Sequence, residues 1–279
     1  MMYGNVFLRA AIALAMSVAS IATAGAAPGR DDIAVQGGPW QLHARAFASE
    51  DAGTRPVLVV VLHGDGPPPY EHPDYHYLLA ERIAAANDNV IAVGLLRPGY
   101  SDPQGNASEG DSGMRSGDNW NADNTDAIAA AIRELEKRYN ARAVVVAAHS
   151  GGAAITANIL GRQAEAIDAA VLVSCPCGDI DAWRANMLEL TGIPVFEGGI
   201  ESLSPLSRAA AVRDARITLI VGSEDRVAPP RFSRQYRDAV KAAGNDVIYI
   251  ELAGRRHNIF LEPEVAVEIT AAVSAVAAE

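Results

Sequence analysis

A chain of 279 residues, 49% hydrophobic and 20% charged, has the composition of a globular protein with a sizeable core. Its net charge of −11, with no basic run longer than a pair such as Arg255-Arg256, argues against a surface built to neutralise phosphates, so nucleic acid is not an expected partner. The acidity reads as a solubility property and carries no information about substrate.

The amino-terminal residues read as an export signal. Arg9 precedes AAIALAMSVASIATA, an apolar run too short for a comfortable membrane span and without a polar face. Ala22-Thr23-Ala24 and Ala24-Gly25-Ala26 each offer the small-x-small pattern of a signal-peptidase site. Residues 1–26 are therefore expected to be a signal peptide, with 27–279 a single domain in the periplasm or outside the cell. Cys175 and Cys177 are the only cysteines. Two thiolates fall short of a structural zinc site, and a bridge between strand residues two apart spans too great a distance for relaxed geometry. Unpaired or weakly oxidising thiols are the expectation.

In chain order, 41–47 alternates like a half-exposed strand after a polar entry segment, and PVLVVVLHG (56–64) is a continuous β-branched run of a strand buried on both faces. A helix is predicted over 75–87 and a buried strand over 89–96. Residues 97–120 are polar, glycine-rich and aperiodic, a long functional loop. The helix predicted over 123–140 carries acids at its start and bases at its end, as the helix dipole prefers. The alternation then repeats: strand 141–150, helix 151–166, strand 167–175, an irregular insert over about 178–215, strand 215–225, helix 229–244, strand 246–254 and a closing helix. Strands alternating with helices predict a mainly parallel sheet covered on both faces.

Four short stretches carry chemistry. Ala148-His149-Ser150-Gly151-Gly152 lies at a strand–helix junction and fits G-x-S-x-G, with alanine for the first glycine. Small residues two before and two after the serine let strand and helix approach closely; the alternative is a plain N-cap serine. Asp225 ends a buried strand in VGSEDRVAPP, His257 stands just past the last strand in AGRRHNIF, and His63-Gly64-Asp65-Gly66 follows the first buried strand. A serine hydroxyl needs a histidine to take its proton, and the histidine needs a carboxylate to fix its tautomer. His149 is expected behind the nucleophile and His63 as a brace for its loop. His72, Asp74 and His76 are the nearest approach to a metal set, at a weak spacing. No metal and no cofactor is expected.

These motifs resemble the α/β-hydrolase family, over roughly residues 40–279. SPLSRAAAVRDARITLIVGSEDRVAPPRFSRQYRDAVKAAGNDVIYIELAGRRH is similar to the closing part of prolyl-oligopeptidase-like and dienelactone-hydrolase-like members, and RPGYSD resembles the R-P-G-x-G-x-S loop with one glycine missing. The resemblance implies an α/β-hydrolase fold with a cap-like insert, a triad of Ser150, Asp225 and His257, and oxyanion donors at the main-chain N–H of Asp65 and Gly151. Some members carry the acid one strand earlier, which makes Asp179 or Asp181 the alternative; Glu224 is adjacent to Asp225. The Asp65 carboxylate would oppose an oxyanion, so it is expected to point away or be paired. The elbow departs from the peptidase pattern G-G-S-Y-G, so the implied activity is an exported esterase acting on a small-molecule ester. The alternatives are an exopeptidase acting on short peptides and a non-catalytic binding protein. Tyr70, Tyr100, Trp120, Trp183 and Phe196 are candidate pocket residues.

Overall fold

The structure is a computed structural model that describes residues 29–66 and 72–278. The expected signal peptide and Tyr70 lie outside the described residues.

The described strands form one eight-stranded sheet in the order β1-β2-β4-β3-β5-β6-β7-β8. β1 (Gly29–Gly37) and β2 (Trp40–Ala48) are an antiparallel hairpin, and β2 is also antiparallel to β4 (Val90–Leu95). β3 (Val57–Leu62), β5 (Ala143–His149), β6 (Ala169–Val173), β7 (Arg216–Gly222) and β8 (Val247–Leu252) continue the sheet in parallel from β4. β1 corrects the reading of a polar entry segment. It is an edge strand that leaves Arg30, Asp31 and Asp32 exposed, so its backbone pairing leaves little mark on hydrophobic periodicity.

Both faces are covered because successive side chains of the inner strands point opposite ways. Leu58, Val60 and Leu62 of β3 meet α2 (Ala122–Tyr139), α3 (Gly151–Leu160) and α6 (Pro230–Ala242) in one core. Val57, Val59 and Val61 meet α1 (Tyr75–Ala86) and α7 (Pro263–Ala277) in the other. α3 stops at Leu160, short of the expected 166: at Gly161 a Cβ would stand 2.7 Å from Arg208 Cβ, and only a short 3-10 turn follows at Ala164–Ala166.

The insert holds α4 (Ile180–Thr191), the short α5 (Pro205–Arg208) and irregular chain. Arg184 of α4 is buried and donates to the carbonyls of Ser116, Val195, Glu197 and Gly198, so one side chain clamps the insert to the 97–120 loop. Apart from an isolated bridge between Ser101 and Ala107, that loop has no strand or helix up to Trp120, as its composition predicts.

The cysteine expectation does not hold: Cys175 and Cys177 are joined by a disulfide. The expectation assumed extended strand, in which Cα atoms two residues apart are about 6.6 Å from one another. β6 ends at Val173, so the pair lies beyond the strand, and the two Cα atoms come to 5.0 Å, well inside the range of a bridge, whose upper limit the extended spacing approaches.

Candidate active site

β5 ends at His149 and α3 begins at Gly151, leaving Ser150 alone at the junction with φ 51° and ψ −119°. A non-glycine residue with positive φ is uncommon and costs on the order of 1–3 kcal/mol, so the surrounding structure must enforce it. Ser150 occupies the N-cap position of α3 but makes no capping hydrogen bond with its side chain. Its Oγ lies 3.0 Å from His257 Nε2 instead, which decides against the plain N-cap.

Asp225 follows β7, and its Oδ2 lies 2.9 Å from His257 Nδ1. Its other oxygen accepts from the N–H groups of Val227 and Ala228, so the turn holds the carboxylate in one orientation. A carboxylate there accepts, which places the imidazole proton on Nδ1 and turns the Nε2 lone pair to the serine hydroxyl. The earlier strand's Asp179 is occupied otherwise: it caps α4, accepting from Asp181 and Ala182. Ser150, His257 and Asp225 thus form one continuous hydrogen-bonded line at the carboxyl edge of the sheet, with a hydroxyl, an imidazole and a carboxylate in reach of one another.

Loop 63–66 packs directly on this line. A Cβ at Gly64 would stand 2.8 Å from Ser150 Cβ, and a Cβ at Gly151 would fall against the Asp65 carboxylate. That carboxylate is paired: Arg97 Nη1 stands 2.8 Å from Oδ1, Trp120 Nε1 donates to Oδ2 at 3.0 Å, and Tyr100 Oη donates at 3.4 Å. Arg97 is itself buried and further donates to His63 O and Asn119 Oδ1. His63 braces the loop, its Nδ1–H donating to the Gly64 carbonyl and its Nε2 accepting the Arg97 backbone N–H. Burial, with the nearby His76 and the Arg97 charge, drives the His63 pKa well below its ordinary value.

Residues 59–199 match the sequence profile of the Alpha/beta hydrolase family, a span of more than half the chain. The chain belongs to the α/β-hydrolase family. No curated protein matches it. Among solved structures, an acylaminoacyl peptidase of Pyrococcus horikoshii matches with a TM-score of 0.67 and 17% identity over 89% of this chain and 41% of that one. A puromycin hydrolase matches with a TM-score of 0.68 and 20% identity, over 90% of this chain and 40% of that one. An esterase of Pyrococcus furiosus matches with a TM-score of 0.67 and 14% identity, over 90% of this chain and 91% of the esterase. The chain thus spans about two fifths of the length of the peptidase and of the puromycin hydrolase, and these likenesses show the α/β-hydrolase fold.

In this α/β-hydrolase a cleft of about 1,140 Å³ opens beside His257, between α4 and the loops that carry Asp225 and His257. Arg226, Arg231 and Arg256 line it together with Glu189 and Glu224. Of the candidate pocket aromatics, Trp120 and Trp183 pack at 4.7 Å between ring centroids, with Phe196 edge-on to Trp183 at 5.8 Å. Tyr100 is consumed by the Asp65 and Asn119 contacts. His72, Asp74 and His76 do not converge: His72 contacts Ser101, and no trio of His, Cys, Asp or Glu among the described residues is placed to hold a metal ion.

Arg97 and Tyr75 are not singled out by the sequence. Arg97 closes a wholly apolar strand in VGLLRPG, an odd place for a free cation and a readable sign of a buried partner. Tyr75, the first residue of α1, gave no such sign.

Proposed function

We propose that the chain is an exported serine hydrolase that cleaves carboxylic esters of small molecules through an acyl-enzyme. The observation that carries this reading is the line Ser150 Oγ–His257 Nε2 and His257 Nδ1–Asp225 Oδ2, at 3.0 and 2.9 Å, ending on a serine held at positive φ.

The chemistry follows from the arrangement. His257 takes the Ser150 proton as Oγ attacks the ester carbonyl, and Asp225 stabilises the resulting imidazolium. The carbonyl oxygen becomes an oxyanion, received by the main-chain N–H groups of Asp65 and Gly151; one such donor is worth about 3 kcal/mol. With the Asp65 charge held by Arg97 and Trp120, the loop offers its N–H without an opposing free carboxylate. His257 then passes the proton to the departing alkoxide. Water repeats the sequence to free the acid and restore Ser150.

A serine exopeptidase would use the same groups, and the acylaminoacyl peptidase among the similar structures keeps that reading second. An aminopeptidase of this kind must hold a free peptide amino terminus. Asp65, whose carboxylate packs against Gly151, is already committed to three donors. The Cys175–Cys177 disulfide supports export, since such bonds persist in oxidising compartments.

The test is labelling with a fluorophosphonate probe, alongside a panel of p-nitrophenyl esters. Wild type should label and turn over short-chain esters, and Ser150→Ala should lose both while keeping its melting temperature. Turnover retained in Ser150→Ala would sink the assignment.

A further inference from the structure

Behind the nucleophile runs a second hydrogen-bonded line that the proposed chemistry does not use. The Gly64 N–H donates to Tyr75 Oη at 2.6 Å, Tyr75 Oη lies 3.0 Å from His149 Nδ1, and His149 Nε2 lies 3.2 Å from the main-chain carbonyl of His257. The ends fix the direction of every proton. A backbone N–H can only donate and a carbonyl can only accept. Tyr75 therefore receives from Gly64 and gives its own proton to His149 Nδ1, and His149 gives its Nε2–H to the His257 carbonyl. Ser174 Oγ, on the left-handed residue after β6, donates to the same carbonyl at 2.8 Å.

We infer that Tyr75 and His149 are positioning residues, a strut that holds the oxyanion loop at Gly64, the elbow beside Ser150 and the backbone of His257 in mutual register. The inference rests on the serine-hydrolase reading above. The three parts it joins come from separate elements, the loop after β3, the end of β5 and the loop after β8, so sequence neighbours do not set their spacing. His149 precedes Ser150 directly, which makes the strut part of the elbow itself. The rings are packed as well: His149 stacks on Phe260 at 5.4 Å, and Tyr75 meets Phe260 edge-on at 5.9 Å.

The line works only with His149 neutral. A proton on Nδ1 would face Tyr75, whose oxygen already accepts from Gly64, and the tyrosine hydrogen would lose its acceptor. Burial, with repulsion from His257, drives the His149 pKa down to about 3, and burial raises that of Tyr75, so both keep the required protons across the range in which such an enzyme works.

The experiment is steady-state kinetics on p-nitrophenyl acetate for Tyr75→Phe, His149→Leu and the double variant, with melting temperatures beside them. Misplacing catalytic groups by about an ångström can cost on the order of a hundredfold, so each single variant should lose roughly 10- to 100-fold in kcat, with KM changed by less than about threefold. Because both residues serve one line, the double variant should be no worse than His149→Leu alone. Tyr75→Phe removes one oxygen and keeps the ring, so it should melt close to wild type and carries the test by itself if His149→Leu does not fold. Single variants within about twofold of wild-type kcat, losses that multiply in the double variant, or a loss confined to KM would each overturn the strut. A wild type inert to both ester and fluorophosphonate would instead bring down the hydrolase reading, and the strut with it.

Discussion

Gly64 and Ser150 face each other so closely that a Cβ on the glycine would stand 2.8 Å from the serine's Cβ and 3.2 Å from His149 Nδ1. The neighbours cannot yield, because Ser150 is held at positive φ and His149 is hydrogen-bonded at both ring nitrogens. Gly64→Ala must therefore push loop 63–66 outward, taking the Asp65 N–H away from the position of the oxyanion. The expected loss is on the order of a hundredfold in kcat on p-nitrophenyl esters, the scale of one lost oxyanion donor. Fluorophosphonate labelling of Ser150 should slow in parallel. A Gly64→Ala enzyme with near-normal kcat would show that this loop does not serve the reaction.

Asp225 and Asp179 offer a direct comparison of two of the acids the family resemblance allows, Asp181 being another. Asp225→Asn leaves the turn's N–H groups partnered but removes the charge beside His257 Nδ1, and a change of this kind costs about 10⁴ in kcat in a serine protease. Asp179→Asn should be mild, because asparagine caps a helix about as well as aspartate does. Measuring kcat for both variants on one ester decides between them; a larger loss at Asp179 would move the acid one strand earlier.

The inner strands and the Ser, Asp and His positions were legible because each depends on local pattern: β-branched runs, an elbow of small residues, an acid at a strand end. β1 was not, since the hairpin turn at Gly38-Pro39 is marked only by a glycine at φ 59° before a proline, and the strand's charged residues face solvent. The pairing of Cys175 with Cys177 turned on the strand ending at Val173, before the pair, which no periodicity announces. Asp65 was expected to be paired, but its partners Arg97 and Trp120 lie far along the chain in a loop without periodicity. The Tyr75–His149 line was invisible for the same reason: its links join residues 11, 74 and 108 positions apart.

Acid should unfold the protein through its buried histidines. His76 and His149 have their pKa values pushed down to about 3, chiefly by burial, and His63 is also driven well below its usual 6.5. The unfolded chain takes up these protons first as pH falls, so stability is full above about 6.5 and is lost progressively toward 3. Between pH 7 and pH 5 His76 and His149 should each cost about 2 kcal/mol, and His63 acts in the same direction. Urea midpoints at the two pH values check this. Among the described residues neither ring nitrogen of His76 has a hydrogen-bond partner, so His76→Leu should narrow the gap between the two midpoints. An unchanged gap would mean that His76 is not among the groups that titrate on unfolding.

Arg97 links stability to loop 63–66, the proposed source of an oxyanion donor. Arg97→Met would strip the Asp65 carboxylate of its 2.8 Å cation partner in a buried setting, where removing one half of an ion pair costs about 3–5 kcal/mol. The stranded charge would also lie beside Gly151, close to where the oxyanion develops. Arg97→Met should therefore lower both the denaturation midpoint and kcat, while Asp65→Asn/Arg97→Met, with no stranded charge, should recover part of the kcat. A double variant no better than Arg97→Met would show that the Asp65 charge is not what harms turnover.

The preference for esters over amides follows from the leaving group and from what surrounds the nucleophile. Both substrates pass through the same oxyanion, but an amine departs only with a proton from His257, whereas a phenolate leaves with little help. A peptidase offsets this by anchoring the peptide with remote binding energy, commonly at its amino terminus. Here Asp65 is bound to Arg97, Trp120 and Tyr100, and Glu197 is exposed on the insert, with its carbonyl engaged by Arg184. Neither carboxylate is presented to a substrate ammonium at Ser150. We therefore expect kcat/KM for short-chain aryl esters at least roughly a hundredfold above that for alanyl or prolyl anilides, a barrier difference of about 2.7 kcal/mol. Side-by-side progress curves on p-nitrophenyl acetate and on alanyl and prolyl p-nitroanilides measure the ratio directly. Comparable rates would mean that an amine anchor exists elsewhere, with Glu189 and Glu224 of the cleft beside His257 the first carboxylates to replace, and would promote the exopeptidase reading over the esterase.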